Sequence, residues 1–180
     1  MEVKEATIPG LLLIQPNVFC DSRGYFFESY NKNKFNKIGL DVAFVQDNQS
    51  FSSKGTLRGL HFQNPPFAQG KLLSVARGAV LDVAVDIRKD SGFYGKHFSI
   101  ILSEENKTMF WVPPGFAHGF LALEGNTLFM YKCTHEYNKE SEVAIRWNDP
   151  DLKINWNVTN PVISEKDANA PLFRDLASMF

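Results

Sequence analysis

Cysteine is scarce in this chain. Only Cys20 and Cys133 occur among 180 residues, far apart and in no CxxC or Cys/His grouping, which excludes a disulfide framework and a zinc site and predicts two buried thiols. Long apolar runs are missing as well. After Glu2, Lys4 and Glu5 the first run is Leu11 to Ile14, too short for a secretory segment or a membrane span, so a cytoplasmic protein without a membrane partner is expected. Neither sign of charge dominates: 19 Lys and Arg against 20 Asp and Glu leave a net charge of -1. That balance argues against nucleic acid or an anionic membrane as a partner, and any anion site must be local, built from a few placed Arg and Lys. No repeat, linker or low-complexity segment divides the sequence, and a single domain spanning 1–180 is expected.

What the chain has in quantity is aromatic bulk. Sixteen Phe and 13% aromatic residues favour strands and supply volume for a barrel or sandwich interior, so the fold class is read as all-β. Residues 10 to 30 read as strand, a turn at Ser22 to Gly24, and strand. Asn31 to Gly39 reads as a helix with an Asn cap, a Gly stop, and Phe35 and Ile38 on one face. Val42 to Phe51 reads as extended, with Gln46 and Asn48 two apart and hence on one side. Further strands are read at Leu72 to Ala76 and Ala79 to Ile87, joined by a hairpin at Arg77-Gly78, and at Phe98 to Leu102, Met109 to Val112, His118 to Leu123 and Leu128 to Thr134. A short helix is read near Ala170 to Met179. On Ala79 to Ile87, period two puts Asp82, Ala84 and Asp86 on one face, which either meets solvent or lines a polar interior.

The densest chemistry lies in Gly55-Thr-Leu-Arg-Gly-Leu-His61-Phe-Gln63, followed by Gln69-Gly70-Lys71. Strict alternation would point Arg58, Leu60 and Phe62 to one face and Leu57, Gly59, His61 and Gln63 to the other, with Gly59 leaving room for a ligand. Gly55 five residues ahead of His61, and Pro113-Pro-Gly115-Phe-Ala-His118, resemble the two cupin signatures. That likeness implies a cupin-type jelly-roll β-barrel with a few short peripheral helices. A metal-binding cupin carries a second histidine where this chain has Gln63, and His61 and His118 alone fall short of the three or four ligands a stable site takes. No metal and no cofactor are expected.

Longer stretches resemble one family in collinear order: Arg23-Gly-Tyr-Phe26-Phe-Glu28, Leu57 to Gln63, Gln69 to Lys71, Asp82-Val-Ala-Val-Asp86, Trp111 to Phe120, Tyr131-Lys, Trp147-Asn-Asp-Pro150 and Ser164-Glu-Lys166-Asp167. All are similar to the dTDP-4-dehydrorhamnose 3,5-epimerase family, whose substrate is a nucleotide diphosphate 4-keto sugar with acidic hydrogens at C3 and C5. The resemblance implies His61 as general base, Asp167 as the carboxylate that orients it, Lys71 as the cation at the enolate oxygen, and Tyr131 as the proton donor from the opposite face. It further implies Arg23, Arg58 and Lys166 near the diphosphate, and Glu28, Gln46, Asn48, His118 and Glu142 as substrate contacts. Tyr137 is the implied stacking ring for the base. In this family the N-terminal segment crosses to a second subunit, which implies a homodimer in which Arg23, Phe26 and Glu28 serve the neighbour's site. Lys139 and Ala144 stand where the family has Pro and Gly, and the loop carrying Tyr137 and Glu142 is expected to differ for that reason. The alternatives are a C3-only, C5-only or C3/C5 epimerase of another nucleotide 4-keto sugar, such as a GDP-linked heptose, and a non-catalytic or metal-dependent cupin.

Overall fold

A computed structural model describes residues 1–180. The strands in chain order are β1 (Glu2–Glu5), β2 (Leu12–Gln15), β3 (Phe19–Asp21), β4 (Gly24–Phe26), β5 (Gln46–Ser52), β6 (Leu57–Gln63), β7 (Lys71–Arg77), β8 (Ala79–Asp86), β9 (His97–Ser103), β10 (Met109–Val112), β11 (Phe116–Ala122), β12 (Thr127–Cys133) and β13 (Glu142–Ala144). Helix α1 (Lys32–Lys37) follows β4, and α2 (Glu165–Ala168) follows β13. One sheet has the order β1-β2-β10-β7-β12-β5, the other β13-β6-β11-β8-β9, and β3 and β4 form a separate hairpin. From β5 to β8, and again from β9 to β13, the chain changes sheet at every connection. This is the expected jelly roll, as two facing antiparallel sheets whose edges are not closed into one cylinder.

The hairpin read at Arg77-Gly78 is instead a corner. β7 pairs with β10 and β12, while β8 pairs with β9 and β11 in the opposite sheet. Gly78 is required there: its φ is +76°, and an added Cβ would come within 2.6 Å of the Thr127 hydroxyl.

Aromatic bulk fills one end of the space between the sheets. Phe110 and Phe129 from one sheet meet Phe116 and Phe120 from the other, with Leu73, Val80 and Leu102 among them. Each such ring contributes about 1.5–3 kcal/mol by leaving water. The opposite end carries polar side chains and stays open. Two further cores cover the outer faces. Leu57, Leu60 and Phe62 pack under Leu152 and Trp156 with Phe173, Leu176 and Phe180, while Phe35 and Leu40 cover Ile14, Leu72 and Trp111.

Helix α1 forms as its sequence predicts. Asn31 caps it by accepting from the Lys34 N–H, Phe35 is buried, and Gly39 ends it at φ +87°. The helix read at Ala170 to Met179 is not there, and only a 3-10 turn at Phe173–Asp175 forms. Buried Asp149 accepts from the Phe173 N–H at 2.7 Å, and the otherwise extended chain lets Phe173, Leu176 and Phe180 all reach the sheet. Of the two thiols, Cys133 is buried as expected, but Cys20 is exposed because β3 belongs to the solvent-facing hairpin.

Candidate active site

Strand β6 does not keep the strict alternation expected of it. His61 lies opposite His118 and Arg58 opposite Phe120, so three steps on β6 span two on β11. This irregularity shifts the phase, and Arg58 and His61 both turn inward while Leu57, Leu60 and Phe62 turn outward to the core. Gly59 sits at the shift with φ +124°, and an added Cβ would lie 2.5 Å from the Cα of Gly119. The space at Gly59 therefore admits the neighbouring strand rather than a ligand.

His61 is fixed by a carboxylate from outside its sheet. Thr56 bridges Val162 in parallel, which brings the following segment alongside β6. Ser164 then caps α2 by accepting from the Asp167 N–H. Asp167 Oδ1 lies 2.7 Å from His61 Nε2, and its Oδ2 accepts from the Gly59 N–H at 3.2 Å. Burial works to raise the Asp167 carboxyl, but the bond to His61, the Gly59 N–H and the Ser164 hydroxyl together hold it below the usual carboxylate range. An ionised Asp167 accepts a hydrogen bond from Nε2–H, which leaves Nδ1 as the basic nitrogen. His118 has a parallel arrangement: its Nε2 lies 2.9 and 3.0 Å from the two oxygens of fully buried Asp82. The sequence left Asp82 between solvent and interior, and it lies inside. Asp86, at the end of β8, is engaged by Arg88 and Ser91.

The facing wall comes from the other sheet. Lys71, Tyr131 and Asn48, from β7, β12 and β5, share with His61 a cavity of about 620 Å³ and a contiguous one of about 380 Å³. Tyr131 is the cross-strand partner of Asn48, and Lys71 of Cys133. The Lys71 backbone is paired in the sheet, but its ammonium has no hydrogen-bond or ion-pair partner among the protein's side chains. Burial pushes its ammonium below the ordinary lysine value, against the pull of Cys133, Asp82 and Glu142. Burial also raises the Tyr131 phenol, the nearby Cys133 adding to the effect and Arg58 opposing it, so the hydroxyl stays protonated at neutral pH. Such a wall can stabilise a developing oxyanion with Lys71 and supply a proton from Tyr131, across from an imidazole base.

The mouth is cationic. Arg58 and Lys166 line the larger cavity, and Lys166 Nζ lies 2.5 Å from Glu142. Glu142 also accepts from the Tyr137 hydroxyl at 2.9 Å, and the Tyr137 ring is 55% exposed beside the smaller cavity. Burial favours the neutral Glu142 carboxyl, but Lys166 and Tyr137 outweigh it and keep the group ionised. Gln46 and Asn48 share this wall and bond to each other at 2.9 Å. Ala144 lies in β13 opposite His61, Lys139 is exposed, and neither has positive φ. Arg23, Phe26 and Glu28 do not line this chain's cavity. Arg23 pairs with Asp21, Phe26 is exposed on the β3–β4 hairpin, and Glu28 pairs with Lys34.

Sequence reasoning missed Ser50 and Ser164 as cavity-lining groups. The period-two row Gln46, Asn48, Ser50 could have indicated the first, and the Ser-x-x-Asp cap spacing the second. The family described as dTDP-4-dehydrorhamnose 3,5-epimerase matches residues 5–175. The chain belongs to that family. The dTDP-4-dehydrorhamnose 3,5-epimerase of Salmonella typhimurium is 51% identical over 174 residues, covering 96% of this chain and 95% of its own. The solved structure of the epimerase from Elizabethkingia anophelis superposes with a TM-score of 0.92 at 49% identity, over 97% of each chain. The dTDP-6-deoxy-D-glucose-3,5-epimerase from Legionella pneumophila, solved in complex with dTDP-4-keto-L-rhamnose, superposes with a TM-score of 0.93 at 46% identity, over 97% of this chain and 94% of that one. The dTDP-4-dehydrorhamnose 3,5-epimerases are isomerases, and this chain shares their cupin-type jelly roll.

Proposed function

We propose that this chain converts dTDP-4-dehydro-6-deoxy-D-glucose to dTDP-4-dehydro-L-rhamnose by inverting C3 and C5. The observation that carries this reading is the placement of His61, held by Asp167 of α2, on one sheet and of Lys71 and Tyr131 on the other, with the cavity between. The C4 ketone makes the hydrogens on C3 and C5 removable as protons. His61 Nδ1 takes one proton, and the electron pair moves into the C4 oxygen as an enolate that the Lys71 ammonium stabilises. Tyr131 delivers a proton to the opposite face of the same carbon, which inverts it. His61 and Tyr131 then recover their protonation through solvent before the second inversion. No redox step occurs, and no metal or cofactor is called for.

Arg58 and Lys166 hold the diphosphate, His118, Gln46, Asn48 and Glu142 contact the sugar nucleotide, and the open face of Tyr137 stacks on the base. Arg23, Phe26 and Glu28 lie outside this chain's cavity, as residues serving a second copy would, and the proposed assembly is a homodimer. The substrate is a cytoplasmic metabolite in this reading, and no helix is long and apolar enough to cross a membrane.

Three results test the assignment. Tyr131→Phe impairs proton delivery more than removal, so the ratio of solvent deuterium exchange to net epimer rises; an unchanged ratio removes Tyr131 from the opposite face. A dTDP sugar surpasses its GDP counterpart in kcat/KM by about 10³ or more, the scale reached by sites that bond a base edge, and activity survives chelator treatment. Equal rates with the two nucleotides would point to the wider sugar range instead.

A further inference from the structure

Tyr137 poses a physical problem. Its ring is 55% exposed, and it lies in a stretch between β12 and β13 with no regular structure, so burial does not hold it in place. Glu142 ties its hydroxyl, and what holds its backbone is a set of side-chain amides from the barrel. Gln63, at the end of β6 and only 4% exposed, donates from Nε2 to the carbonyls of Phe67 and Glu136 at 2.6 and 3.1 Å and accepts from the Asn138 N–H at 2.8 Å. Gln46 accepts from the Tyr137 N–H at 2.8 Å, and Gln69 donates to the His135 carbonyl at 2.8 Å. The peptide groups on both sides of Tyr137 are thus tied to three segments of the scaffold, and Gln63 alone spans the residue from 136 to 138.

We propose that Gln63 is a positioning residue that presets the Tyr137 ring for the nucleobase. This inference rests on the reading of Tyr137 as the base-stacking group. Gln63 occupies the position where a metal-binding cupin carries its second histidine, and here that inward, buried side chain bonds the loop's backbone. Pre-ordering a loop raises affinity by removing the cost of ordering it upon binding. The benefit falls on the part of the ligand that meets Tyr137 and not on the diphosphate or the reacting sugar.

The test is calorimetric titration of wild type, Gln63→Met, Gln63→Glu and Tyr137→Ala with dTDP and with inorganic pyrophosphate, together with steady-state kinetics. Gln63→Met keeps the side chain's size and removes all three bonds, and it is expected to weaken dTDP binding by about 10- to 100-fold, the scale of losing one or two hydrogen-bonded anchors. Pyrophosphate affinity stays within about twofold, and KM rises while kcat holds, as uniform binding loss requires. Gln63→Glu retains the acceptor for Asn138 and is expected to fall in between; it carries the test if the Met variant does not fold. If the Gln63 variants bind dTDP like wild type while Tyr137→Ala does not, the positioning role is overturned and the stacking reading stands. If Tyr137→Ala itself binds dTDP normally, the stacking reading fails. Parallel losses for dTDP and pyrophosphate, or a fall in kcat, would mean general disruption of the site and would also overturn the proposal.

Discussion

Replacing His61 with Asn removes proton abstraction at both C3 and C5, and kcat/KM falls by about 10²–10⁴, the usual contribution of a positioned general base. Both carbons are affected because one group serves both: among the cavity-lining residues, His61 alone pairs an inward imidazole with the ionised Asp167 on α2. His118 lines the same space with a parallel pairing to Asp82, but its side chain is 8% exposed against 28% for His61, so it offers the ligand far less of its ring. The measurement is loss of the C3 and C5 proton signals in deuterated water, followed by NMR with the variant and its substrate. Exchange that persists at one carbon would make His118 a second base. Persistence at both would remove His61 from the mechanism.

Lys71→Met carries the second large effect, and it has opposite signs for activity and stability. An ammonium with no partner in the protein waits for a ligand oxygen, and removing such an oxyanion donor costs about 10²–10³ in kcat. The same burial makes the charge a liability in the folded state. Its folded pKa lies below the unfolded value of about 10.4, so the penalty is full at pH below the folded value, shrinks as pH rises between the two, and is gone above both. The Met variant is therefore expected to melt higher at neutral pH, by about 2–4 °C per kcal/mol relieved for a chain of this size, with the advantage closing toward alkaline pH. A variant that is slower and also less stable would show that Lys71 contributes packing that outweighs the cost of its buried charge. A variant as fast as wild type would leave the enolate without its cation.

Much of this was legible in the sequence. The strand runs, the Asn31 cap and Gly39 stop are local signals, and the residues that meet in the cavity lie in stretches where charge and amide groups interrupt apolar alternation. What could not be read was non-local. The phase shift at Gly59 depends on its contact with Gly119 sixty residues away, so period two alone placed Arg58 on the wrong face. The corner at Gly78 resembles a hairpin until the partners of β7 and β8 are known. Near the C-terminus a short helix was expected, but Asp149 captures a backbone N–H and the rings are held in an extended segment. Gln63 appeared only as a missing metal ligand, because its role lies in backbone groups more than seventy residues downstream.

A base on one sheet and an acid on the other invert two carbons in turn, each through its own enolate on the same C4 oxygen. Proton NMR of dTDP-4-dehydro-6-deoxy-D-glucose incubated with the wild-type protein in deuterated water tests this mechanism most directly. Deuterium at both C3 and C5 and accumulation of the L-rhamno product are expected. Exchange confined to one carbon, or no exchange with this substrate, would contradict the mechanism.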